Sequence, residues 1–394
     1  MKDLKPWSVA ERIDLVRTTL KSFPDVAQGA DRERFRRLLE NFGVEAVFDY
    51  LRSRGIAHAA LAAHSWSPGI TDMEGPFWLF RQFGLAVQET HRREVAHLAE
   101  SFARQGIPLI AYKGVVLEAL LSSTDTPSCS ADIDILVPKA ELSRAKEMFE
   151  KLGYVSDLRI HAGRPRKIPP QVTAMTEGSI YSFGQCVPLD RLIPVPELAP
   201  LGARLLRYFP ERFCLVAGQL QMKLSIDLHY TLNHLSDDIG TRVKPSEEVW
   251  LEDTESLEIE GVAVETLSHR VLSWVLPHRL YVDSMLLNDG SIRALCHLKL
   301  LRHYGKLDVQ HAKDISQRYP YLAPSIYYAL RAMDQICETD IRLEADPEKV
   351  RKSSAPLMNV GDCLPAMLDF GLDVELIGLN SSAGDEEQVA VRLH

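Results

Sequence analysis

Paired cysteines, long apolar runs and an excess of positive charge are all missing from this 394-residue sequence. The six cysteines (Cys129, Cys186, Cys214, Cys296, Cys337 and Cys363) show no C-x-x-C spacing, so neither a zinc site nor a disulfide framework is signalled, and a reducing, cytoplasmic compartment is expected. No stretch of about 18 apolar residues occurs, and the first residues, Met1-Lys-Asp-Leu-Lys-Pro-Trp-Ser, carry charge where a secretory signal would be apolar. Membrane insertion and export are therefore not expected. Acidic side chains outnumber basic ones 54 to 45, a formal charge of -9. That balance argues against a general affinity for nucleic-acid backbone, leaves room for a local basic patch, and favours small substrates over long polyanions. There is no internal repeat and no low-complexity tract.

Helical periodicity dominates the two ends of the chain. Residues 1 to about 105 read as helices over 31–40, 44–54 and 75–105, and in the last of these Val95, Leu98 and Phe102 recur at the spacing of an apolar stripe. From 106 to 154 the pattern changes to a strand (Pro108 to Tyr112), a helix (Val115 to Ser122), a strand (Ile133 to Val137) and a helix (Ala140 to Leu152) closed by Gly153. Residues 155–222 are rich in proline and read as an irregular insertion, basic near Arg159, His161, Arg164, Arg166 and Lys167. Such a segment is either a lid or binding loop, or simply mobile. A strand follows from Met222 to Tyr230, then helices within 265–340, clearest at 293–304 and 323–337. The expected organisation is a helical region (1–105), an α/β core (106–264), a second helical region (265–340) and a loosely ordered tail (341–394). The expected fold class is α+β, a mixed sheet with flanking helices.

Chemistry concentrates in the core. Asp132 and Asp134, in Ala131-Asp-Ile-Asp-Ile-Leu-Val, would point to one face of a strand because side chains alternate with period two. Asp227 lies on the polar side of the later strand with Ser225 and His229. Three carboxylates on neighbouring strands suit Mg²⁺ or Mn²⁺, which take hard oxygen ligands, and a pair of such ions about 3.5–4 Å apart can serve phosphoryl or nucleotidyl transfer from an NTP. Gly114, between a strand and a helix, would let backbone N–H groups approach a phosphate. Lys113 either adds a point charge there or points into solvent. Glu118, one helical turn beyond Gly114, reads as a surface residue complementing the helix dipole, and His229 as structural support for Asp227. His297, His303 and His311 lack metal-ligand spacing and read as surface or packing residues, and Cys129 has no basic partner that would activate it.

Lys113-Gly114, Asp132-Ile-Asp-Ile-Leu-Val and Ile226-Asp-Leu-His-Tyr resemble the motifs of a family of uncharacterised bacterial nucleotidyltransferases in the DNA polymerase β-like superfamily, over about residues 30 to 340. The resemblance implies a nucleotidyltransferase-like core that binds NTP and Mg²⁺ through Gly114, Asp132, Asp134 and Asp227. It also implies transfer of an NMP group, foremost AMP from ATP, to a small-molecule or protein acceptor with release of pyrophosphate. Family members carry an arginine shortly before the first aspartate, whereas this chain reads Ser128-Cys-Ser-Ala-Asp132. The insertion's Arg164 or Arg166 is a candidate replacement. The loss also motivates an alternative, a nucleotide-binding regulatory or interaction protein with the same fold and no turnover.

Overall fold

The computed structural model describes residues 7–120, 130–177, 186–232, 248–251, 253–285, 291–338 and 341. Its first part is built from α1 (Val9–Ser22), α2 (Gly29–Phe42), α3 (Val44–Ser53), α4 (Ala57–Ala63), α5 (Pro68–Thr71) and α6 (Pro76–Arg104). Ser8 starts α1 with a reciprocal capping box to Glu11, satisfying two backbone donors that a helix end would otherwise leave open. Pro76 starts α6, where its missing N–H costs nothing, and the helix then runs for 29 residues.

The central layer follows as β1 (Ile110–Tyr112), α7 (Gly114–Leu120), β2 (Ile133–Leu136), α8 (Leu142–Lys151), β3 (Leu158–His161), β4 (Arg164–Lys167), α9 (Pro170–Glu177), β5 (Leu189–Pro194), α10 (Gly202–Tyr208), β6 (Phe213–Val216) and β7 (Gln219–His229). After α11 (Glu248–Leu251) come the hairpin β8 (Thr254–Ile259) and β9 (Val262–Leu267), then α12 (His269–Met285), α13 (Arg293–His303), α14 (Val309–Arg318) and α15 (Ala323–Cys337).

Seven strands form one mixed sheet in the order β5-β7-β2-β1-β9-β8, with β6 also paired to β7. β1 runs antiparallel to β2 and parallel to β9, while β2 runs parallel to β7. The α+β expectation is met. The sheet separates two apolar bodies. Ala111, Ile133, Ile135, Ile226 and Leu228 join Val95, Leu98, Phe102, Ala145 and Phe149 in one. Ile110, Tyr112 and Leu136, which point the other way, join the larger body formed by the N-terminal and C-terminal helices. Alternation along β1 and β2 therefore assigns a side chain to a body, whereas one face of β7 gives Leu220 and Met222 to the larger body and Leu224, Ile226 and Leu228 to the smaller.

Residues 155–222 correct the expectation of an irregular insertion, since the described ones hold four complete strands, two α-helices, a 3-10 helix and the start of β7. The prolines that suggested disorder punctuate short elements instead. Pro170 opens α9, Pro194 closes β5, and Pro165 sits in the two-stranded ribbon β3–β4. Proline is tolerated at such ends and edges, where no ladder donor is required. The hairpin β8–β9 is an element that the sequence reading passes over, although Thr254 to Leu267 alternates polar and apolar residues about Gly261 and holds five β-branched residues. No helix among the described residues is long and apolar enough to cross a membrane. Cys129 and the tail beyond residue 341 lie outside the described residues, as does the side chain of Glu118. Cys186, Cys214, Cys296 and Cys337 are buried.

Candidate active site

Asp134 on β2 is directly opposite Asp227 on β7, and Tyr112 on β1 is directly opposite Asp134. Opposed residues share a sheet face, so these three and His229, two residues beyond Asp227, project together. One ligand atom each from Asp134, Asp227 and His229 fall within 4.8 Å of one another. Asp132 is not part of that trio. It precedes β2 in a bend, partly buried, and the Ser130 hydroxyl contacts its carbonyl at 2.8 Å and its carboxylate at 3.2 Å. Its charge nevertheless reaches Asp227.

Each carboxylate has a different environment. Burial favours the neutral form of Asp134, but the Lys113 ammonium and His229 outweigh it and hold the acid well below the usual carboxylate value. Lys113 Nζ lies 2.8 Å from Asp134 Oδ1, and His229 Nε2 lies 3.5 Å from the same oxygen. Burial, followed by the neighbouring charges of Asp132 and Asp134, drives Asp227 well above its ordinary value, against the weaker pull of Lys113 and Arg279. Burial also pushes the His229 imidazole down to about 4, so it is neutral near pH 7. A depressed and a raised carboxylate side by side are the arrangement found where acid–base chemistry is performed.

The turn between β1 and α7 is left-handed at two consecutive positions, Lys113 (φ 59°) and Gly114 (φ 46°). At Lys113 that conformation is strained for a residue with a Cβ, and it aims the ammonium back at the sheet, not into solvent. A Cβ on Gly114 would stand 3.0 Å from Ser130 Oγ. Gly114 thus admits the segment that carries Asp132, a close approach between two loops that the sequence did not reveal.

Two arginines escaped the sequence reading. Arg279 on α12 is held by Asp283 one turn on, at 2.7 Å, and its charge reaches Tyr112, Asp134 and Asp227. Arg212, buried in the turn before β6, donates to the carbonyls of Ser130, at 3.1 Å, and Ala131, fixing the residues just before Asp132. Its guanidinium also sits 5.4 Å over the Phe83 ring. Nothing local in Pro210-Glu-Arg-Phe marks the residue, since its partners are about 80 positions away. Arg164 and Arg166 lie on β4 in the separate two-stranded sheet, and the cations whose charge reaches Asp227 are Lys113 and Arg279. Of the other histidines, His297 is buried on α13, while His303 and His311 are not buried.

A family model described as uncharacterised nucleotidyltransferase matches residues 31–336. No curated protein matches the chain. The crystal structure of an antigenic nucleotidyltransferase-like protein from Paracoccidioides brasiliensis is similar at 12% identity over 60% of this chain and 92% of its own, with a TM-score of 0.24.

Proposed function

The chain belongs to this family of uncharacterised nucleotidyltransferases, and we propose that it moves an NMP group, foremost AMP from ATP, onto a small-molecule or protein acceptor and releases pyrophosphate. The observation that carries this reading is the opposed pair Asp134 and Asp227, whose carboxylates converge with His229 within 4.8 Å.

These residues fit a divalent cation. Burial, and then the charges of Asp132 and Asp134, raise the pKa of Asp227, a penalty that a cation offsets, and Asp132 adds a third oxygen donor. The Tyr112 hydroxyl, buried on the same face, has no hydrogen-bond partner among the described residues and marks the site as unsatisfied by the chain alone. Carboxylate oxygens suit Mn²⁺ as well as Mg²⁺. Such a cation, held by Asp134, Asp227 and Asp132, supplies charge neutralisation at the α-phosphate and at the departing pyrophosphate.

The chain's own groups divide the remaining work. Asp227 accepts the proton of the acceptor hydroxyl as the acceptor oxygen bonds to the α-phosphorus. The bond from that phosphorus to the β-phosphate oxygen breaks, and pyrophosphate leaves with the electron pair. Lys113 and Arg279 place positive charge beside the triphosphate. Ser130 and Arg212 hold the backbone of Asp132 in place.

Pyrophosphate release measured with each NTP, Mg²⁺ or Mn²⁺ and a metabolite extract tests the reading, with Asp134→Asn as the control. Release that is absent with every NTP, or that survives Asp134→Asn, defeats it. A second reading, nucleotide binding without turnover, is favoured by the Lys113 ammonium, which already neutralises Asp134. It requires NTP binding by calorimetry in a protein that releases no pyrophosphate.

A further inference from the structure

The ribbon β3–β4 presents a concentrated positive face. Arg159 is opposite Arg166 and His161 is opposite Arg164, so all four side chains occupy one side of the ribbon, and all four residues are exposed. The other side carries Leu158 and Ile160, both partly buried, together with Pro165 and Lys167. Neither strand contains an acidic residue, and Asp157 at the base lies 3.6 Å from Lys167 on the opposite side. Like charges facing one another across a ladder destabilise it. The charge of Arg159 reaches the buried Asp190 on β5, while the cluster as a whole runs against the overall balance of a protein of net charge -9.

The ribbon is fixed at both ends. Ile168 N–H donates to the Asp157 carbonyl at 2.6 Å, and Leu215 N–H on β6 donates to the Gly163 carbonyl at 3.3 Å. At the tip, a Cβ on Gly163 would come within 3.2 Å of Leu206. Beside this contact opens a cavity of about 500 Å³ lined by Ala162, Gly163, Arg164, Leu206, Pro210 and Leu215. Apolar walls meet a guanidinium there, next to the row of arginines.

We propose that this face docks a single strand of nucleic acid, with phosphates on the arginines and an unstacked base in the cavity. Arginine forks match phosphate oxygens bidentately, and the two rungs, about 6.7 Å apart along the ribbon, meet successive phosphates of one strand. A flat base fits an apolar cavity rimmed by Arg164, on whose guanidinium plane it can stack. A duplex keeps its bases paired and leaves the cavity unused, and an acidic peptide brings carboxylates on flexible stems but nothing flat. Docking is local and salt-sensitive, because the rest of the molecule repels a polyanion. It does not rest on the transferase reading and is measured without NTP or metal.

The test is fluorescence anisotropy of a short labelled single-stranded RNA, and of DNA of the same sequence, titrated with the full chain at several salt concentrations. Two phosphates, one on each rung, predict a log–log salt slope of about -1.4, falling toward zero in the triple variant Arg159→Gln, Arg164→Gln, Arg166→Gln, with affinity lower by about tenfold or more at low salt. RNA and DNA bind alike because the contacts are to phosphate and base. The substituted side chains are exposed, and circular dichroism verifies that the variant is folded. The proposal is overturned if the wild-type chain binds neither strand, if the triple variant binds as tightly with an unchanged slope, or if a labelled polyglutamate peptide or the duplex binds as well as the single strand.

Discussion

Asp134 and Asp227 face one another across the parallel pairing of β2 and β7, and their acidities move in opposite directions. The difference comes from their neighbours. Lys113 lies against Asp134 at 2.8 Å, whereas Asp227 faces two other carboxylates and feels Lys113 and Arg279 more weakly.

Replacing Asp227 by Asn separates function from stability. A raised folded-state pKa means that ionised Asp227 destabilises the metal-free protein at neutral pH. The stability it allows is complete below the unfolded value and is lost as pH rises through the folded one. Asp227→Asn is expected to raise the metal-free Tm at pH 7, by about 2–4 °C per kcal/mol relieved, while lowering pyrophosphate release about a hundredfold or more. Scanning calorimetry and a pyrophosphate assay measure the two effects, and a fall in Tm contradicts the assignment.

Lys113→Met removes the counter-charge of a buried acid. Breaking such a pair from one side costs about 3 kcal/mol or more, because the remaining charge has no compensation. Added Mn²⁺ should then restore stability in the variant, giving a larger Tm rise than in the wild type. Equal rises in the two proteins would show that ammonium and cation do not compete for Asp134.

Arg212→Lys tests the staple on the segment before Asp132. A lysine keeps the charge but loses the fork that reaches the Ser130 and Ala131 carbonyls together. The expected result is about a tenfold fall in kcat with KM for NTP little changed, and weaker Mn²⁺ binding by electron paramagnetic resonance. Unaltered Mn²⁺ affinity would reduce Arg212 to a packing residue.

Acid sensitivity follows from the buried histidines. Burial depresses His58, His91, His278 and His297 to about 3 and His64 to about 4, from 6.5. The unfolded chain therefore binds protons that the folded chain refuses, so the contribution of these histidines is full above pH 6.5 and is lost as pH drops through 4 toward 3. Each histidine contributes on the order of 1 kcal/mol per pH unit across that window. Urea denaturation at pH 7.5 and pH 5.5 should show a large loss, partly removed in His278→Gln, whose side chain meets Ser325 at 2.8 Å in the wild type.

Much of the fold was legible where periodicity was strong. Val95, Leu98 and Phe102 lie on the buried stripe of α6, and the alternation around Asp227 places it on β7 as expected. The helical ends were readable for the same reason, and the family through the resemblance of its motifs. What sequence hid was contact at a distance. Arg212 reaches a loop about 80 residues earlier, and Gly114 is constrained by Ser130, so neither announces itself in its own neighbourhood. Proline density misled over 155–222, because it marks the ends of short strands and helices as readily as it marks disorder.

The 29-residue α6 gives Phe77, Phe80, Phe83 and Val87 to the larger apolar body and Val95, Leu98 and Phe102 to the smaller one. A single rod shared in this way ties the melting of each side to the other, because unravelling either half strips a wall from its neighbour. Heat should accordingly dissolve both bodies in one cooperative event, and a proteolytic nick near His91, midway along the rod, should loosen the whole assembly at once.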